Sequence, residues 1–151
     1  MSSTQFDIQG LNDIEKKLKA LNNPKKVKSL VRKALRQAAN VVKDAARQNA
    51  KAIDDPETYE KIWKNIGVAS GRSRNSGSEI MRIGVRGGAS FSNPVPPRLS
   101  GGDTRHWRWI EYGSVNSPSV PFMRPALSNN TRQVTDTFVR VLNEEIEKVL
   151  S

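Results

Sequence analysis

From Val27 to Ala46 the apolar residues keep to one helical face. Val27, Leu30, Val31, Ala34, Leu35, Ala38, Val41, Val42, Ala45 and Ala46 recur every three or four residues for about six turns. That period predicts a long amphipathic helix over 25–47, and the rest of the chain must arrange itself around it. Alanines on the stripe leave room for a close neighbour, a sheet or the C-terminal helix. Asn22 or Asn23 can cap the start, and Pro24 fits the first helical position, where its missing N–H costs nothing. Lys25, Lys26, Lys28, Arg32, Lys33 and Arg36 crowd the first half, where the helix dipole favours anions, so packing must outweigh a small penalty.

Shorter elements flank it. Leu11, Ile14, Leu18 and Leu21 predict a helix over 11–21. After "DDP", the residues Tyr59, Ile62, Trp63 and Ile66 share a face and predict a third helix starting near Pro56. "GVASGRSRNSGSE" reads as a strand end running into a mobile loop at 70–79, and "EIMRIGVRGG" alternates as a strand. Residues 87–104, "GGASFSNPVPPRLSGGDT", form a long insertion with glycines at both ends and prolines in the middle, a second flexible loop that can order against a neighbour. Val134, Phe138, Val141, Leu142, Ile146, Val149 and Leu150 predict a C-terminal helix of roughly 25 residues if Pro125 starts it. Glu144, Glu145 and Glu147 sit near its end, again against the dipole. The expected fold is α+β: long N-terminal and C-terminal amphipathic helices packed on a small, mostly antiparallel β-sheet, in a single domain spanning 1–151.

Several kinds of chemistry find no residues to carry them. The chain has no cysteine and one histidine, which removes disulfides and thiolate catalysis and leaves a poor ligand set for zinc. No apolar run approaches the roughly 20 residues that span a bilayer, and "MSSTQFDIQG" lacks the form of a signal peptide, which points to a reducing cytoplasm. His106 and Glu111 are the only neighbouring pair with acid–base potential, and five residues apart they share a face on neither helix nor strand. No dinucleotide or phosphate-loop spacing is present. No catalytic residue, cofactor or metal is expected. The net charge of +10 lies entirely in residues 1–100, with 19 Lys and Arg against 9 Asp and Glu. Such a field favours acidic partners or nucleic acid. One reading of the chain is therefore a basic nucleic-acid-binding module using the helix at 25–47, with Trp107 and Trp109 stacking bases.

The passage "HWRWIEYGSVNSPSVPFMRPAL", 106–127, concentrates aromatic residues, glycine and spaced prolines. Whether 106–112 is strand or helix is open. Glu111 can accept hydrogen bonds at a turn, and Gly113 supplies a backbone angle other residues resist. Pro121 and Pro125 constrain the chain around Phe122 and Met123, whose side chains would plug a pocket on a neighbour. Arg124 can pair with Glu111 or with an acidic partner. Trp107, Trp109, Glu111, Tyr112, Gly113, Pro121, Phe122, Met123, Arg124 and Pro125 are thus the candidate interface and structural residues. On this view Phe122→Asp would block assembly and leave the monomer folded. The basic set Lys25 to Arg36 is the candidate contact for DNA or an acidic partner.

These residues resemble a known family. "IEYGS", a short spacer, "PFMRPAL" and a long C-terminal helix, together with "GLNDIEKKLKAL" and "VRKALRQAANVVKDAARQNA" near the start, are similar to the tail-component, or tail-completion, group of long-tailed bacteriophages. The middle departs from that pattern: "TYEKIWKNIGVASGR" stands where members often carry a Gly-x-Leu-Arg-x-Ser-like step, and 87–104 looks like an elaboration. The resemblance implies a structural virion protein at the head–tail junction, a homo-oligomeric ring of six copies. Its neighbours would be tail-terminator, head-closure or connector proteins, with passing DNA as a non-specific contact and no membrane. Assembly would take place in the host bacterial cytoplasm.

Overall fold

The computed structural model describes residues 11–71 and 78–150. An 11-residue helix, α1 (Leu11–Leu21), turns into a 29-residue helix, α2 (Pro24–Ala52). Asn22 makes the turn at φ 46°, a left-handed conformation that asparagine tolerates better than most residues. The side chain of Asn23 then accepts the Lys26 backbone N–H at 3.2 Å, and Pro24 opens the helix as the sequence predicts. A four-residue turn of helix, α3 (Ile62–Asn65), leads into an antiparallel hairpin of β1 (Ile66–Gly71) and β2 (Ile80–Val85), in register from Ile66 opposite Val85 to Gly71 opposite Ile80. Two short helices follow, α4 (Trp107–Tyr112) and α5 (Arg124–Ser128), and then the 20-residue α6 (Thr131–Leu150). The architecture is α+β, with long helices at both ends and a two-stranded antiparallel sheet.

α2 is the spine, and its stripe is buried in two clusters. Its first half packs Leu30 and Ala34 against Ile14 of α1 and Val141, Leu142 and Ile146 of α6. Its second half packs Val42, Ala46 and Ala50 against Ile62, Ile66, Val85, Phe122 and Ala126, with Val134 of α6 at the margin. α6 therefore runs antiparallel to α2, and alanines at 34 and 46, both 0% exposed, set how near it comes. This arrangement resolves the two dipole penalties. The lysine-rich start of α2 lies beside the glutamate-rich end of α6, so each charge set meets the other helix's terminus. Lys33 Nζ reaches Glu145 at 3.1 Å, and Lys17 of α1 reaches Glu147 at 3.2 Å. The Lys33 ammonium, followed by Lys148, holds the Glu145 carboxyl below its ordinary range.

Two expectations need correction. The predicted third helix from Pro56 is only the turn Ile62–Asn65, and Tyr59 is 97% exposed instead of sharing a buried face. Asp55 explains this: its side chain accepts the Glu57 N–H at 2.9 Å and its carbonyl accepts the Thr58 N–H, a local turn that competes with helix. The C-terminal helix is also not continuous from Pro125. α5 stops at Ser128, where Asn130 donates its side-chain amide to the Ala126 carbonyl at 2.8 Å, and α6 restarts at Thr131. Of the expected loop at 70–79, residues 72–77 lie outside the described residues.

A hydrogen-bonded corner as candidate interaction site

The open question at 106–112 resolves as helix. Trp107 N–H donates to the Thr104 carbonyl and Trp109 N–H to that of His106, each at 3.0 Å, and α4 follows. Its core-facing flank carries Trp107 and Glu111. Gly113 ends it at φ 80°, ψ 171°, a region that essentially only glycine occupies; a Cβ there would lie 2.9 Å from the Ser119 nitrogen. The chain then makes a tight turn in which Ser114 and Ser117 exchange backbone bonds at 2.9 and 3.3 Å. It returns to cap the helix it left: Val120 N–H donates to the Ile110 carbonyl at 2.8 Å, while Ser119 Oγ and Arg124 Nη2 donate to that of Glu111, each at 2.7 Å.

Glu111 pins the other side. Its carboxylate, 0% exposed, accepts the backbone N–H groups of Phe122 at 2.7 Å, Met123 at 2.9 Å and Arg124 at 2.8 Å, and the Arg124 Nε at 3.1 Å. Those three amides open α5, so a carboxylate from another helix acts as its N-cap. Burial pushes the Glu111 carboxyl up, but the donors from Met123, Phe122 and Arg124 outweigh it and hold the group below its ordinary range. Phe122 sits under this staple, 0% exposed, with its ring edge-on to Trp107 at 6.5 Å. The expectation that Phe122 plugs a neighbour's pocket is thereby corrected: its ring fills the subunit's own core, and an aspartate there would attack the fold. Met123 is half-buried against the same core.

Exposed apolar side chains stand around the staple. Trp109 is 57% exposed, Tyr112 60%, Val115 103%, Val120 43% and Leu127 53%. Pro121 is exposed beside them, and Pro125 lies in the first turn of α5. Arg124 lies over the Tyr112 ring at 4.8 Å.

The basic set is elsewhere, on the opposite half of α2 from the corner. Lys28 and Arg32 reach Glu79 at 3.5 and 2.8 Å, Lys33 reaches Glu145, and Arg36 donates to Ser70 Oγ at 3.2 Å. The Arg32 guanidinium holds the Glu79 carboxyl below its usual range. Lys25 and Lys26 are exposed. His106 and Glu111 do not form an acid–base pair: Glu111 is wholly engaged by its donors, and His106 lines a cavity on another flank of α4. Among the described residues no group of three or more metal-ligating side chains is present, and no helix is long and apolar enough to cross a membrane.

Sequence reasoning missed the fastening of the 87–104 insertion. Arg105, 6% exposed, makes paired bonds to Asp103 at 2.8 and 2.9 Å and donates to the Asn93 carbonyl at 2.6 Å. The same guanidinium holds the Asp103 carboxyl at about 2 and lies 4.6 Å from the Phe91 ring, which in turn stacks on Trp109 at 5.6 Å. Buried Asn65 accepts the Gly101 N–H at 2.9 Å and donates to Thr104 Oγ1 at 2.7 Å. A Cβ on Gly101 would collide with the Lys61 carbonyl, which is why a glycine opens the second pair. The i,i+2 spacing of Asp103 and Arg105 was the one local signal available for this.

Residues 12–113 match the family described as "Bacteriophage HK97-gp10, putative tail-component", a span running from α1 through the hairpin and the insertion to the glycine that ends α4. No match was found among curated proteins or among solved structures. With about two thirds of its length inside that match, the chain belongs to the HK97-gp10 family of bacteriophage tail components.

Proposed function

We propose that this tail component is a structural protein of the head–tail junction, forming or joining a ring that completes the tail and lets the head attach. Six copies is the natural number for such a ring. Its neighbours are tail-terminator and head-closure or connector proteins, its work is assembly and not turnover, and the host cytoplasm is where it assembles. The reading rests on family membership and on one observation: large apolar side chains at Trp109, Tyr112, Val115, Val120 and Leu127 are exposed on a corner whose backbone is already pinned. A pinned surface loses little conformational freedom when a partner covers it. The insertion at 87–104 would order further against neighbours. The excess positive charge of residues 1–100 suits non-specific contact with passing DNA. A dedicated nucleic-acid module is less well supported, because Lys28, Arg32 and Lys33 already hold acidic partners within the chain.

Deleting the gene in a phage that carries it tests this. Heads and tails should accumulate unjoined, and Tyr112→Asp should reproduce the defect while the purified variant still unfolds cooperatively, with a midpoint lowered only slightly by the loss of the Arg124–Tyr112 contact. Normal yields of joined, infectious particles without the protein would refute the assignment.

A further inference from the structure

Beside the C-terminus of α2 lies a cavity of about 200 Å³. Ala50, Ile53, Ile62 and Ile110 give it apolar walls, and Asp55 and Glu60 stand at its edge. No cation among the described residues forms an ion pair with either acid, whereas Asp54 nearby is taken by Lys61 at 2.8 Å. A cavity of about 150 Å³ accepts a benzene ring, so this one has room for a branched aliphatic side chain. The molecule also carries a projection of matching chemistry. Val115, 103% exposed, lies in the turn closed by Ser114 and Ser117, just beyond α4, which carries the exposed Tyr112 and the exposed Arg108 four residues apart; the Arg108 guanidinium lies 5.7 Å from the Trp107 ring.

We infer that the Val115 tip of one copy seats in the Ile53–Ile62–Ile110 cavity of the next, with Arg108 facing Asp55 and Glu60. This names the surfaces that meet in the proposed ring and rests on that reading. Size and charge match, and placement supplies the third argument. Ile110 and His106 line the cavity, while Arg108 and Tyr112 are each two residues from Ile110, about 200° of rotation, so the exposed Arg108–Tyr112 face of α4 is turned away from its cavity-lining face. Two different surfaces join copies head to tail, and such contacts close into a ring when the rotation between successive copies closes. The backbone bonds that hold the tip mean little freedom is lost on seating.

The chain has no cysteine, so introduced thiols report cleanly. Full-length Val115→Cys and Thr58→Cys proteins, Thr58 also lining the cavity, are mixed and treated with a short bis-maleimide, both as purified protein and in assembled tails. A mixed adduct is expected, with neither variant linking to itself and the double variant giving a ladder. Glu60→Arg should lower the adduct yield at least about tenfold, and Arg108→Glu should restore it. No mixed adduct in either preparation, a dominant Val115→Cys self-adduct, or linkage only to a different tail protein would each overturn the contact. A mixed adduct from a chain absent from purified particles keeps the contact and refutes the head–tail placement. A chain present in particles but giving no adduct does the reverse.

Discussion

At Glu111, one carboxylate determines the shape of a dozen following residues. Its four nitrogen donors come from Phe122, Met123 and Arg124, so two short helices are tied at a single point. Glu111→Gln keeps the shape but loses the charge, and should lower unfolding free energy in denaturant titration by about 2–3 kcal/mol. The pH dependence has a definite sign. The folded carboxyl lies below its ordinary value of 4.5, so its contribution is complete above that pH and disappears as pH falls through the folded value. Asp103, held at about 2 by Arg105, acts in the same direction. Acid titration of wild type should therefore show stability falling below about pH 4.5, with a shallower fall in Glu111→Gln; identical slopes would remove Glu111 as the cause. Gly113→Ala should cost about 1–3 kcal/mol, because φ 80° with ψ 171° excludes a Cβ.

At the scale of elements, periodicity was readable and long-range capping was not. The stripe from Val27 to Ala46, the Asn23–Pro24 start and the alternation at 80–85 all came from neighbours within a turn or two of chain. α4 did not: "WRWIEY" suits a strand as well as a helix, and what completes it are bonds from Val120, Ser119 and Arg124. The break at Asn129–Asn130 and the turn at Asp55 were written in residues that favour side-chain-to-backbone bonds, but apolar spacing across them masked that signal. Within the 106–127 passage, the directions of the side chains were not legible in the sequence, since Phe122 is buried in the core and Tyr112 is exposed. The α2–α6 seam gives a direct test. Ala34 is 0% exposed between Leu30 and Ile146's cluster, so Ala34→Leu should force the helices apart and cost about 1–3 kcal/mol, read as a lowered thermal midpoint.

For the whole molecule, charge and shape divide the labour. The net +10 is partly answered inside the chain where α2 meets Glu79 and α6, so part of the apparent nucleic-acid signal of the composition belongs to structure. If the unanswered lysines contact DNA non-specifically, Lys25→Gln with Lys26→Gln should reduce the salt slope of binding by about 2 without changing the unfolding midpoint. A larger change in slope would mean that the internal pairs open on binding.

The stapled turn carries a consequence for how such a protein can change its mate. No described hydrogen bond that closes the base of the turn comes from the side chains of Val115, Asn116 or Pro118; the fastening belongs to residues 110–111, 119–120 and 122–124. The tip is thus an interchangeable bit on a fixed handle. Under the proposed contact, drift at the tip would alter the fit while the body keeps its stability, so tip and socket, both encoded in one chain, would have to change together.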